Sequence, residues 1–174
     1  MPIDSFMAAA RYRPGLVDSQ ELKALANQAL EEASYTPSLA ELATMMESAI
    51  SECGPVFEAA LAELGVPIPS EEEATLYLIR HYISDIADGR VSPRQGMGVI
   101  VKILHKTKLH SKSKKYLGDC YELENILGEY YSYDDLEERP LETSYEGKRG
   151  QEALQMVDDE IVRLARIWLK GHGA

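Results

Sequence analysis

Near the carboxyl end of the chain, Leu154, Val157, Ile161, Leu164 and Trp168 recur at alternating steps of three and four residues. This spacing constrains the fold more than any other feature. Residues so placed share one face of an α-helix, whereas in a β-strand they would scatter over both faces. An apolar stripe of this kind has to be covered by another apolar surface, so the chain must build a helical layer against it.

Earlier segments repeat the pattern and supply the covering surfaces. Asp18 or Ser19 can cap a helix carrying Leu22, Leu25, Ala26, Ala29 and Ala33, which should end before Pro37. Thr36 or Ser38 opens the next, with Pro37 in its first turn and Ser38 to Glu41 as a capping box. Its stripe is Leu39, Leu42, Met46, Ile50 and Cys53; Gly54 and Pro55 then punctuate it, and a third helix carries Phe57, Ala60, Leu61 and Leu64 to Gly65. Ser70 precedes three glutamates, a favourable cap and first-turn charge arrangement, ahead of Leu76, Ile79, Ile83 and Ile86. After Gly89 the pair Ser92-Pro93 restarts a helix with Met97, Ile100, Val101 and Leu104. The short connection predicts an antiparallel helical hairpin. Gly96 and Gly98 cost helix propensity, roughly 1 kcal/mol each, and therefore predict close packing by the partner helix of the hairpin.

From Ser111 to Pro140, Tyr116, Leu117, Tyr121, Leu123, Leu127 and Tyr131 mark a helix interrupted by Gly118 and Gly128, with a poorly ordered end; the polar stretch from Asp134 to Arg149 reads as a loop. No strand alternation and no internal repeat competes. The predicted fold is all-α: a compact single-domain bundle of six or seven helices, with a partly ordered arm over 1–17 and the domain over 18–174. The hairpin from Glu71 to His105 and the helix from Gln151 to Lys170 should lie at its centre.

A chain of 174 residues should bury about 70% of the surface its unfolded form exposes, and it needs no disulfide or metal staple. Cys53 and Cys120 lack a second cysteine or histidine at ligand spacing and read as reduced, buried core residues. The amino-terminal sequence has no secretory pattern and no stretch approaches the roughly 18 apolar residues of a membrane span, so a cytoplasmic location with no membrane contact is expected.

Catalytic templates are missing: there is no phosphate-cradling loop, metalloprotease helix, nucleophile elbow or dinucleotide fingerprint. No cofactor is implied. His81, Asp85 and Asp88, at i, i+4 and i+7, could share a helix face and hold a metal or a bound water, although Arg90 and Arg94 stand nearby as alternative partners. Charge is the more unusual feature. The run from Lys102 to Lys115 holds six lysines, two histidines and no acid, leaving 12 of the 18 Lys and Arg residues against all 29 acids, a net of −17 for the remainder. Lys106, Lys108, Lys112, Lys114 and Lys115 could contact phosphate, nucleic acid or an acidic partner, or simply offset acidic neighbours in the same molecule. Directly after them, Tyr116, Tyr121, Tyr130, Tyr131 and Tyr133 fall within 18 residues. Tyrosine suits a surface that is wet when free and dry when bound, and the interleaved acids favour a protein over nucleic acid; packing between helices would also use these rings.

A compact acidic helical protein without a catalytic motif resembles, in class only, many bacterial immunity, inhibitor and adaptor proteins. The function expected from these residues is a non-catalytic protein-binding or inhibitory module. The alternatives are a nucleic-acid or phosphate-ligand binder acting through Lys102–Lys115 and an enzyme built from scattered residues.

Overall fold

Short polar side chains start most of the helices by taking up backbone N–H groups that have no partner within the first turn. The computed structural model describes residues 4–46, 49–107, 121–138 and 143–172. Among them are eight helices: α1 (Ser5–Tyr12), α2 (Ser19–Glu31), α3 (Pro37–Thr44), α4 (Ile50–Glu63), α5 (Glu71–Ala87), α6 (Pro93–Thr107), α7 (Glu124–Glu138) and α8 (Gly150–Gly171). The chain is all-α; the described residues hold no strand beyond a single bridge between Tyr145 and Lys148. No described helix is long and apolar enough to cross a membrane. Packing divides the chain into two compact units, Met1–Thr75 and Leu76–Ala174, where the sequence reading drew one domain over 18–174.

In the first unit Asp18 caps α2, accepting from the amides of Gln20 and Glu21, while its own amide donates to the Glu21 carboxylate. The segment read as an arm contains α1, capped by Asp4, with Ala8, Ala9 and Ala10 buried. Its one-turn alanine patch carries no long apolar stripe, which is why periodicity does not reveal it.

Two boundaries differ from those predicted. The helix expected to run on to Cys53 stops at Thr44, whose hydroxyl bonds back to the carbonyls of Ala40 and Glu41, and Met46 and Ile50 are exposed instead of continuing its stripe. Gly54 and Pro55, read as punctuation, lie inside α4. A β-carbon on Gly54 would sit 2.6 Å from the Tyr12 hydroxyl, which crosses the helix there and donates to Glu58 at 2.9 Å. Close approach of α1 thus explains the glycine. The Ser38–Glu41 capping box also does not form. Thr36 caps α3 through the Leu39 amide, and Ser38 gives both its amide and its hydroxyl to Glu63 of α4. The hydroxyls of Thr36 and Ser38 and the Ser38 amide together hold the Glu63 carboxyl below its usual range. Leu22, Ala26, Leu39, Leu42, Cys53, Phe57, Ala60 and Leu61 form the core of this unit. Cys53 is a free, buried thiol; Cys120 lies outside the described residues.

α5 opens on the Ser70 cap, with reciprocal bonds between Ser70 and Glu73, and its length from Leu76 onward belongs to the second unit. Ile79, Ile83 and Ile86 meet Met97, Ile100 and Leu104 of α6, Leu127 of α7, and Val157, Ile161 and Trp168 of α8 in one core. The expected close approach holds at Gly96, where a β-carbon would stand 2.6 Å from Ile86 Cγ1; at Gly98 the nearest atom is the Tyr130 hydroxyl, at an ordinary 3.5 Å. The buried line of α8 is Ala153, Val157, Ile161, Ala165 and Trp168, with Leu154 and Leu164 flanking it. Alanine lets neighbouring backbones approach, while the longer leucines fill the margins. The loop expected from Asp134 begins later, since α7 continues to Glu138 and buries Tyr133 and Leu136.

Candidate functional site

Among the tyrosines and lysines singled out in the sequence, Lys108, Lys112, Lys114, Lys115 and Tyr116 lie outside the described residues. Lys106 is exposed in the last turn of α6, near Lys102, also exposed. The four described tyrosines take different positions. Tyr133 is 3% exposed, donates its hydroxyl to Asp158 of α8 and lies under the Arg94 guanidinium, 5.3 Å from its ring centre. Burial, then the bond to Asp158, pushes its pKa far above the usual tyrosine range. Tyr130 is half-buried and meets both Tyr131 and Tyr133 edge to face. Tyr121 is half-buried against the core. Tyr131, at 44% exposure, keeps the open face a contact residue needs. Core packing therefore takes up most of this aromatic cluster.

The His81, Asp85 and Asp88 set is closed by a cation of the chain itself. Arg90 donates to Asp85 at 2.7 Å and to Asp88 at 2.5 Å, while His81 stands 3.3 Å from the other Asp85 oxygen. This ties off the α5 carboxyl end. Among the described residues no group of three or more His, Cys, Asp or Glu side chains could hold a metal ion.

A more distinctive arrangement lies where α7 and α8 flank a tight turn. Tyr145 and Lys148 exchange both backbone hydrogen bonds, at 2.9 and 2.8 Å, around Glu146 and Gly147, both of positive φ. That is a two-residue hairpin turn of the mirror-image type, for which glycine at the second position is well suited. It aims the Tyr145 ring at α7, where the hydroxyl donates to Glu129 at 2.8 Å. Glu129, Tyr145, Glu146, Asp159, Glu160 and Arg163, with Met156, line an open groove of about 390 Å³.

Four carboxylates thus face one guanidinium. Arg163 is committed to Glu160 in a two-pronged bond of 2.7 and 2.5 Å, which holds the Glu160 carboxyl below its usual range. Among the described residues, Asp159 accepts a neutral amide proton from Gln155 at 3.1 Å. Burial, the bond to Glu129 and the charges of Glu129, Glu160 and Glu146 all push the Tyr145 hydroxyl well above the ordinary tyrosine pKa. No protein family, curated protein or solved structure matches the chain. The groove was hidden in the sequence because Glu129, Tyr145 and Asp159 come from three separate segments. Tyr145 also lies outside the tyrosine-dense stretch, and its turn inside a segment read as featureless loop.

Proposed function

We propose that the chain is a non-catalytic protein-binding module, and that the groove between α7, the 145–148 turn and α8 receives a basic segment of its partner. The surplus of carboxylates around Tyr145 carries this reading. A lysine or arginine entering the groove meets Glu129, Glu146 and Asp159, and its aliphatic stem can lie on Met156 and the Tyr145 ring. The groove brings together no nucleophile, base and oxyanion donors of a catalytic site.

The test compares the parent chain with a Glu146→Gln/Asp159→Asn double variant, neither side chain being part of the core. Titration with a synthetic lysine-rich peptide should show binding that weakens with salt, and the variant should bind roughly fivefold more weakly with a shallower salt dependence. Affinity capture with both proteins, read by mass spectrometry, should then yield a partner held by the parent and depleted with the variant. A partner and a peptide held equally well by both would remove the groove from the function.

A further inference from the structure

The entrance of α7 is built in a conformation its residues disfavour. Tyr121 and Glu122 both have left-handed backbones, with φ of 60° and 57°. For residues with a β-carbon, such a conformation is costly and persists only where surrounding contacts impose it. Leu123 follows, fully buried, and its carbonyl accepts the Leu127 amide at 2.8 Å in the first helical bond of α7. The chain must therefore turn sharply to bury Leu123 at that point.

Contacts from the end of α8 meet this turn. The Trp168 indole N–H donates to the Tyr121 carbonyl at 2.8 Å. The indole is itself held. The His172 ring stacks on it at 4.0 Å with an interplanar angle of 11°, and His172 Nδ1 lies 2.9 Å from the Trp168 carbonyl, an acceptor that requires the proton on that nitrogen. Arg80 of α5 fixes the His172 carbonyl at 2.9 Å, and His172 Nε2 stands 3.7 Å from Glu122. An indole 5% exposed, wedged by a stacked ring, presents its one donor to one acceptor at the strained residue.

We propose that the Trp168 indole N–H is a latch that helps hold Tyr121 and Glu122 in the left-handed turn, so that its loss loosens the turn and the first turn of α7. The device is conformational and stands independently of the groove beside Tyr145. It couples the end of α8 to the start of α7 through the indole bond to Tyr121, beside the His172–Glu122 contact, and the strain held there.

Native-state amide hydrogen exchange tests it, read at the Leu127 amide and compared with amides in the middle of α8 around Ile161. Trp168→Phe keeps a ring in the core and deletes the donor. It should speed exchange at Leu127 about tenfold more than at Ile161. Glu122→Gly removes the β-carbon from a left-handed position and should slow exchange at Leu127 roughly fivefold in the parent, and restore much of the protection lost in Trp168→Phe. Glu122→Ala deletes the same carboxylate but keeps the β-carbon, and should not slow exchange. The proposal is overturned if Glu122→Gly leaves exchange unchanged or speeds it, if Glu122→Ala protects as well as Glu122→Gly, or if Trp168→Phe loosens α7 and α8 alike. Should Trp168→Phe fail to fold, benzothienylalanine at position 168, which keeps the bicyclic ring and lacks the N–H, takes its place in the same comparison.

Discussion

Replacing Gly96 and Gly98 separately by alanine should move stability in opposite directions, although both glycines lie in α6 two residues apart. In an exposed helix each change would gain about 1 kcal/mol, since alanine loses less backbone entropy than glycine. At Gly98 the new methyl would meet only the Tyr130 hydroxyl, at 3.5 Å, so the gain should survive as roughly 0.5 to 1 kcal/mol. At Gly96 it would stand 2.6 Å from Ile86 Cγ1, 2.7 Å from Ile86 Cδ1 and 3.1 Å from Val91 Cγ1. Apolar carbons prefer about 3.5 to 4.0 Å, so two atoms of one side chain are about 1 Å too close. Ile86 is fully buried and its χ1 is stiff in a helix, so Cγ1 cannot swing aside as a chain end could. Overpacking of this kind costs about 1 to 3 kcal/mol, which leaves Gly96→Ala destabilised by about 1 kcal/mol after the helix gain. Urea unfolding followed by the fluorescence of Trp168, the only tryptophan, measures this in the unit that contains it. Ile86→Ala supplies the control. It should cost about 2 to 5 kcal/mol alone, and on that background Gly96→Ala should become neutral or stabilising because its methyl enters the vacated space. The reasoning is refuted if Gly96→Ala is as stable as the parent, or if its effect is the same with and without the Ile86 side chain.

Two further outcomes follow from the core and its buried tyrosines. Ile161→Asp should lower the stability of the Leu76–Ala174 unit by several kcal/mol, because Ile161 is fully buried among apolar neighbours and a carboxylate there would have to be desolvated or protonated; a melt within a degree or two of the parent would show that this face is not core. Stability should also fall in alkali. Burial and the bond to Glu58 push the Tyr12 hydroxyl from 10.0 up to about 12, and Tyr133 and Tyr145 are raised as well. A group with a raised folded pKa contributes fully below its unfolded value and loses that contribution as pH rises through the folded one. Unfolding free energy should thus be flat with respect to these groups below about pH 10 and decline from there through pH 12. Tyr12→Phe should shallow the slope measured for the Met1–Thr75 unit, and an unchanged slope would show that the hydroxyl is not buried as described.

Much of the fold is legible from local chemistry. Asp18 with Glu21 and Ser70 with Glu73 form capping boxes from donors and acceptors three residues apart, although the same spacing at Ser38 and Glu41 gives none because Glu63 takes the Ser38 amide and hydroxyl. The spacing around Val157, Ile161 and Trp168 fixes a helix because period and side-chain direction are properties of the backbone itself. The candidate site was much less legible. Dense tyrosine in the sequence says that rings are available, but only the placement of Asp158 and Arg94 sends Tyr133 inward, while Tyr131, two residues earlier, stays exposed. Tyr145 gave no signal at all, since the burial that raises its pKa most and the carboxylates that add to it, Glu129 on α7, Glu160 on α8 and Glu146 in its own turn, are brought together only by folding.

The sequence by itself thus determined that the chain is all-α, where most helices begin, and which faces are apolar, because these depend on interactions within a few residues. Tertiary structure decided that Gly54 and Pro55 continue a helix, that Gly96 is tight and Gly98 is not, and which acids surround Tyr145. Each of those outcomes depends on an atom brought close from a distant segment: the Tyr12 hydroxyl, the Ile86 side chain, the Glu129 carboxylate. Pattern along a chain records the period of its own backbone, but distances between helices are set by how whole side-chain volumes fit together.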